Sequence, residues 1–169
     1  MQLNRRKSDR EAGANLGNQY LTFLIGGQEY AIDILQVQEI KSWGAVTPLP
    51  GAPVHVLGVI NLRGVLVPLV DLRIRFKVGQ PTYTATTAVI VVRSGDRVVG
   101  LVADQVCEVY QLTDEMIQST VGGASGIGAD YLRGVATVEN QMIIVLALDH
   151  VVTSSIVPPV AEAAEATRG

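Results

Sequence analysis

An ungapped internal repeat constrains this chain more than any other feature of its sequence. Residues Gly58–Leu72 form two runs rich in Val, Ile and Leu around Arg63-Gly64, and the pattern recurs as Gly134–Leu148 around Glu139-Asn140. Such residues favour strands, and the glycine of the first turn accommodates the positive φ of a tight hairpin. Each segment is therefore predicted to be a β-hairpin. Because Pro68 has no N–H, its strand is expected at a sheet edge or with a bulge.

The strands that precede each hairpin also repeat, at a constant offset of 69 residues. Short β-like runs flank Gly26-Gly27 in the first repeat and Ser94-Gly95-Asp96 in the second, a pattern typical of hairpins. The predicted strands are Tyr20–Ile25, Tyr30–Leu35 and Val37–Ile40, followed in the second repeat by Ala88–Val92, Val98–Ala103 and Val106–Tyr110. The connection 111–133 is longer than its counterpart, so the offset becomes 76 for the two hairpins.

These offsets place chemically informative residues opposite one another. Val37 corresponds to Val106, Glu39 to Glu108 and Arg63 to Glu139. The first connection, 41–57, is rich in proline, and only a short helical turn near Val54–Leu57 is expected there.

Two repeats of five short strands predict an all-β fold with two small β-barrels or strongly bent sheets, because closure removes unpaired edges. The repeats are expected at about 20–76 and 87–150, joined by the linker Lys77–Thr87 and sharing a core. One unit is predicted to comprise Tyr20–Leu72 and the other Ala88–Leu148, related by a pseudo-twofold axis, with exchange of a terminal strand allowed.

Outside the repeats the sequence predicts little regular structure. Residues 1–18 are basic and lack periodicity, as expected of a mobile tail. A short helix is expected over Asp149–Ile156, stopped by Pro158-Pro159, and the Ala- and Glu-rich residues 157–169 read as a second flexible tail. The folded unit is thus expected to span 19–156.

Composition excludes several classes of function. A net charge of −3 and a pI near 5.3 give no positive field for nucleic acid or an anionic membrane. No apolar run is long enough for direct membrane insertion, so a cytoplasmic location is expected. The single cysteine, Cys107, and two histidines provide neither a disulfide framework nor a metal cluster, and no cofactor is expected.

The residues that carry catalysis in other proteins are not arranged here for it. No nucleophile elbow or acid/base carboxylate pair is apparent, so the chain is not expected to be an enzyme. The stretch Gly122–Gly128 resembles a phosphate loop but lacks its Lys-Ser/Thr ending, and it is interpreted as a flexible connection. The residues alone favour a protein-interaction module, with a small-molecule-binding β-barrel as the alternative.

Three single residues need separate interpretation: Arg63 and Trp43 each have two, and Cys107 has one. Arg63 is equally well read as a solvated turn residue or as the partner of a carboxylate such as Glu39. Trp43 either caps a barrel or anchors a surface contact, and Cys107 is expected to be a small buried hydrophobe.

The chain resembles the bacterial chemotaxis coupling proteins, the CheW family, from about Gln19 to Ile156. The resemblance is carried, in order, by Tyr30-Ala31-Ile32-Asp33-Ile34, Val37-Gln38-Glu39-Ile40, the Gly58–Leu72 hairpin and Val98-Val99-Gly100-Leu101-Val102. It implies two SH3-like five-stranded β-barrel subdomains and a non-catalytic adaptor in chemotaxis signal transduction.

The resemblance also implies partners and a site. The partners would be the cytoplasmic tips of methyl-accepting chemoreceptors and the regulatory domain of the histidine kinase CheA, with recruitment to membrane-associated receptor arrays. Kinase contacts would come from both barrels. A receptor-binding groove between the subdomains would be formed by Ile34, Val37, Glu39, Arg63, Val102 and Val106.

Overall fold

The computed structural model describes residues 18–119 and 131–153. The predicted N-terminal tail up to residue 17, the glycine-rich connection 122–128 and the C-terminal tail lie outside the described residues. No helix in the described ranges is long and apolar enough to cross a membrane.

Short strands make up most of the described chain. They are β1 (Asn18–Ile25), β2 (Gln28–Asp33), β3 (Val37–Ser42), β4 (Val56–Leu62), β5 (Val65–Asp71), β6 (Ala88–Ser94), β7 (Arg97–Ala103), β8 (Gln105–Leu112), β9 (Ile117–Gln118), β10 (Leu132–Val138) and β11 (Gln141–Leu146). A helix, α1 (Leu72–Phe76), follows β5, and residues 148–153 are helical. The mainly-β class predicted from the sequence is confirmed.

Local capping explains where the elements differ from the predicted ones. β2 ends at Asp33 instead of Leu35, because the Asp33 carboxylate accepts a hydrogen bond from the Leu35 amide (2.9 Å) and caps a 3₁₀ turn. Asp71 caps α1, which the sequence analysis did not predict, by accepting from the Arg73 amide. The helical turn expected at Val54–Leu57 is wrong, because β4 already begins at Val56.

The strands form two sheets that exchange strands between the repeats. Sheet A has the order β8-β1-β2-β11-β10-β9, and sheet B has the order β3-β6-β7-β5-β4. Each sheet thus combines the first two strands of one repeat with later strands of the other. The exchange is larger than the single terminal strand allowed by the sequence analysis, and neither sheet coincides with Tyr20–Leu72 or Ala88–Leu148.

The two sheets are built alike despite their exchanged strands. β11 pairs with β2 in parallel through Val145 and Ala31, and β5 pairs with β7 in parallel through the corresponding residues Leu69 and Gly100. The other ladders, β1 with β2 and β8, and β6 with β7 and β3, are antiparallel in both sheets. The repeat in sequence is therefore a repeat in strand position and register.

The expectation for Pro68 needs a correction, because β5 is an interior strand of sheet B. Pro68 pairs with Val59 on β4, whereas the ladder to β7 begins only at Leu69. The missing N–H therefore leaves no gap in the β5–β7 ladder.

Three apolar clusters fill the molecule. The largest lies where both sheets contribute side chains, including Phe23, Ile32, Leu72, Ile90 and Leu101. A second belongs to strands of sheet A and a third to strands of sheet B. Each sheet therefore packs one face on a shared core and curls its other face around a core of its own, as expected of two small barrels side by side.

Two matched glycines allow the chain to cross closely over each sheet. A Cβ at Gly58 would lie 2.1 Å from the carbonyl oxygen of Thr47, and one at Gly134 would lie 2.6 Å from that of Gln118. Thr47 pairs with Val59 in the same way that Gln118 pairs with Val135. A glycine therefore recurs at this position because another backbone segment passes directly over it, and not because of the turn that follows.

We expect Gly58→Ala to lower the free energy of unfolding by about 2 kcal/mol or more, because the new methyl group would collide with rigid backbone. Gly44→Ala is the matched control, since a Cβ at Gly44 meets nothing within 4 Å. Urea unfolding of both variants tests this. Equal stabilities for the two variants would show that the crossing segment moves aside freely.

Candidate functional site

Two edge strands, one from each repeat, border a depression between the sheets. β3 is an edge of sheet B and β8 is an edge of sheet A, and the repeat makes them equivalent. The depression measures about 340 Å³ and is lined by Ile40 to Ser42 on β3, by residues 85–88, and by Gln105 and Val106 on β8. Its floor and walls therefore come from both repeats.

The apolar residues of the predicted groove do not all lie at the surface. Ile34, Val37 and Val106 are half-buried and pack against the shared core, with Val106 also lining the depression. Val102 is fully buried among the residues of the sheet B core, at 0% exposure. It therefore has no surface to offer a partner in this structure, and we remove it from the groove.

Two exposed apolar residues that the sequence analysis did not assign to the groove lie on β3 or directly before it. Leu35, in the 3₁₀ turn before β3, is 83% exposed, and Ile40 on β3 is 47% exposed. Exposed large apolar side chains close to a half-buried apolar floor are typical of protein-interaction surfaces. Their signal in the sequence was weak, because a strand at an edge has the same alternation as one inside a sheet.

Arg63 pairs with Glu39, as one of its two interpretations proposed. The guanidinium nitrogen lies 2.7 Å from the Glu39 carboxylate, with the Arg63 side chain 74% exposed and that of Glu39 25% exposed. β3 and β4 are opposite edges of sheet B, and Arg63 lies in the turn after β4. The ion pair therefore joins the two edges of a curled sheet and fixes the turn beside β3.

The linker that forms one wall of the depression is held by aromatic and backbone contacts. Trp43 stacks on Tyr83 with ring centroids 4.4 Å apart, and its amide donates to the Thr87 carbonyl. Trp43 also packs against the sheet B core. Of its two interpretations, the barrel cap is the one observed.

A buried ion network, which sequence reasoning missed, anchors the same linker. Arg73 is 1% exposed and donates to both oxygens of Asp71, to Asp104 (2.7 Å) and to the Thr82 carbonyl (2.6 Å). Although burial alone would lower the pKa of Arg73, hydrogen bonds to the two carboxylates raise it. The Tyr83 hydroxyl donates to Asp71 at 2.7 Å. The sequence did contain one signal for this network, because Asp71 and Asp104 each come at the end of an apolar strand or directly after it.

Cys107 is half-buried and not the fully buried hydrophobe expected from the sequence. Burial, followed by the charges of Glu29 and Glu108, raises the pKa of its thiol. Within residues 18–119 and 131–153, no group of His, Cys, Asp and Glu side chains is placed to hold a metal ion.

Comparison with known proteins identifies the family of this chain. The CheW-like domain matches residues 19–155. The chain belongs to the CheW-like family. It is 40% identical to the chemotaxis protein CheW of Klebsiella aerogenes over 85% of this chain and 86% of that one, and 39% identical to the Rhizobium meliloti protein over 83% and 90%.

A solved structure gives the same result for the fold of this CheW-like chain. The crystal structure of the scaffolding protein TtCheW from Thermoanaerobacter tengcongensis superposes with a TM-score of 0.73 at 28% identity, covering 78% of this chain and 85% of that one. The protein is thus a non-catalytic scaffold of the CheW type that acts as an adaptor in chemotaxis signalling. The alternative of a small-molecule-binding barrel is not favoured.

We expect the pKa of Tyr83 to show whether its hydrogen bond to Asp71 anchors the linker. Burial and the hydrogen bond to Asp71 raise the pKa of Tyr83 from 10.0 to about 12. The folded state therefore favours the neutral phenol, and this stabilisation is present below pH 10 and lost towards pH 12.

The difference in unfolding free energy between the parent and Tyr83→Phe should accordingly shrink over that pH range. Unfolding by denaturant at several pH values measures this difference, and tyrosinate absorbance measures the pKa of Tyr83. A constant difference across the range, or a Tyr83 that ionises at its ordinary pKa, would contradict the assignment.

Proposed function

We propose that this adaptor bridges the cytoplasmic tips of methyl-accepting chemoreceptors to the regulatory domain of the histidine kinase CheA. It would act in the cytoplasm, within membrane-associated receptor arrays. The observation that carries the proposal is the depression between β3 and β8, which is lined by residues of both repeats, Ile40 and Val106 among them. Its relatives named chemotaxis protein CheW support the pathway.

We expect a helix from the receptor to occupy the groove. Helix-in-groove recognition draws its energy from a few apolar anchors that are desolvated on binding. Ile34, Val37 and Val106 would form the floor of the receptor-binding groove, and the exposed Leu35 and Ile40 would cover the helix from one side. These positions are half-buried or exposed already, so docking requires no opening of the core.

Glu39 and Arg63 would orient this groove instead of supplying its apolar contact. The pair fixes the β4–β5 turn against β3, next to Ile40. An exposed ion pair contributes only about 0 to 1 kcal/mol to stability, whereas a positioned contact at a desolvated interface contributes roughly 2 kcal/mol or more to binding. These magnitudes separate an effect on coupling from an effect on folding.

The kinase would bind outside the groove, so that one adaptor holds both partners at once. Contacts from both barrels are what the family resemblance implies. Strand exchange between the repeats supports simultaneous binding, because the two barrels are held in a fixed relation by shared strands.

We expect Arg63→Ala to change the free energy of unfolding by less than about 1 kcal/mol. It should weaken binding to a purified chemoreceptor cytoplasmic fragment about tenfold or more and reduce kinase activation in a reconstituted receptor–adaptor–CheA assay accordingly. Calorimetric binding and phosphorylation rates measure the two effects.

Arg97→Ala is the matched control, since Arg97 is an exposed arginine beside another hairpin turn, after Gly95-Asp96. It should leave receptor binding and kinase activation at the parental level. If Arg63→Ala also behaves like the parent, Arg63 serves only to close sheet B and the groove does not depend on it.

A further inference from the structure

The repeat reveals a difference between the two sheets at the place where sheet B is closed by an ion pair. In sheet B the pair is Glu39 on β3 and Arg63 in the β4–β5 turn. The corresponding positions of sheet A are occupied by Glu108 on β8 and Glu139 in the β10–β11 turn. A carboxylate therefore stands where the matched repeat has a guanidinium.

The backbone at this position is the same in both sheets. Arg63 and Glu139 have φ values of 53° and 50°, and the residues that follow them, Gly64 and Asn140, have φ values of 86° and 67°. Both turns thus use two left-handed residues in succession, as tight hairpins do. The difference between the sheets lies in the charge of the side chain and not in the course of the chain.

A third carboxylate, that of Glu29 on β2, is buried nearby. Glu29 is 5% exposed, and one of its oxygens accepts a hydrogen bond from the Gln141 side-chain amide. The other oxygen, Oε2, has no hydrogen-bond partner within residues 18–119 and 131–153. Burying an incompletely paired carboxylate is costly, and Val98 occupies the corresponding position of the other repeat. The barrel architecture therefore does not require a charge here.

Strand pairing brings the three carboxylates into one region: Glu29 pairs with Leu24 on β1, which pairs with Gln105 on β8, and Gln141, which bonds to Glu29, lies two residues after Glu139. The Tyr110 hydroxyl donates to Glu108 Oε2 at 2.9 Å. This hydrogen bond, burial, and the charges of Glu108, Glu29 and Glu139 raise the pKa of Tyr110 to about 12. Burial and the charges of Glu29 and Glu108 also raise the pKa of Cys107 on β8. We refer to Glu29, Glu108 and Glu139 as the acidic cluster.

A positive charge within the same sheet is engaged elsewhere. Arg133 on β10 donates to the Tyr20 hydroxyl at 2.5 Å and pairs with Asp114 at 3.1 Å. Those contacts hold the segment before β9 against β10. The guanidinium of Arg133 is thus engaged by Tyr20 and Asp114, and the acidic cluster is left with like charges.

We propose that the acidic cluster is a second docking site, which takes an arginine side chain from a protein partner. The guanidinium that Arg63 supplies within the chain in sheet B would be supplied by another molecule in sheet A. A planar guanidinium fits this role because its several N–H donors reach two carboxylates at once, including the unpaired oxygen of Glu29 after a shift of the exposed Gln141 side chain.

The site is separate from the receptor-binding groove, and the inference does not depend on which segment occupies that groove. Glu108 lies two residues beyond Val106 on β8, so a partner held at the acidic cluster would be adjacent to whatever binds the groove. An arginine there would act as a specificity contact, because a partner with a glutamate at that point would be repelled.

The test is a nuclear magnetic resonance titration of the isotope-labelled chain with a short acetylated glycine–arginine peptide. A peptide with citrulline in place of arginine is the neutral control, and spermidine is the free-polyamine control. We expect the arginine peptide to shift the amides of Glu29, Glu108 and Glu139 and the citrulline peptide to leave them unchanged. Glu139→Gln and Glu29→Gln should each raise the peptide Kd roughly fivefold.

Asp96→Asn is the matched variant, because it removes one exposed negative charge from a turn of sheet B. It should leave the peptide Kd unchanged. Glu139→Arg should raise the Tm, because it would create in sheet A an ion pair equivalent to Glu39–Arg63 of sheet B. It should also abolish the peptide-induced shifts. Glu108→Gln replaces Glu29→Gln if the latter does not fold.

Three results would overturn the proposal. The first is that the arginine peptide leaves the acidic cluster unshifted up to millimolar concentration. The second is that Asp96→Asn weakens binding as much as Glu139→Gln, which would indicate only diffuse attraction to an acidic protein. The third is that spermidine shifts the same amides with the same Kd, which would make the cluster a site for free polyamines and not for a protein.

Discussion

The buried guanidinium of Arg73 is the interaction on which the arrangement of the two sheets depends. It lies between Asp71, at the end of a strand from the first repeat, and Asp104, in a turn of the second. Asp104 in turn accepts from the Gly26 amide and donates its own amide to the Leu24 carbonyl. A desolvated charge is tolerated only while its partners stay in place, and removal of one partner of a buried pair commonly costs 3–5 kcal/mol. The network therefore fixes the relation between elements that the chain brings from both repeats.

Strand exchange places that local constraint beside the proposed binding surface. Because each sheet takes strands from both repeats, the edge strands β3 and β8 come to border the same depression. The linker that closes one side is held by the Arg73 network and by the stacking of Trp43 on Tyr83. In the function proposed for this adaptor, its contribution to signalling is the fixed spacing of two surfaces.

The repeat allowed much of this structure to be predicted from the sequence. Hairpins and their turns follow from offsets between matched residues, and the pairing of Arg63 with Glu39 was one of two interpretations of two charges in apolar runs. The exchange of strands could not be predicted, because the same apolar alternation satisfies either pairing and only the packing of the shared core selects one. Val102 was assigned to the groove through the family resemblance, whereas the structure buries it in the core of sheet B. The Arg73 network was missed because a buried ion pair leaves no periodic signal.

Native-state hydrogen exchange of the parent and of Arg73→Lys tests most directly whether the exchanged sheets form one unit fixed by this network. Lysine keeps the charge but not the planar fork that reaches two carboxylates, so the loss of stability should be about 1–3 kcal/mol. We expect the slowest amides of β1 and β2 in sheet A and of β6 and β7 in sheet B to open with the same free energy in the parent, and the substitution to lower both free energies by the same amount. Loss of protection confined to one sheet, or two distinct opening energies in the parent, would contradict this expectation.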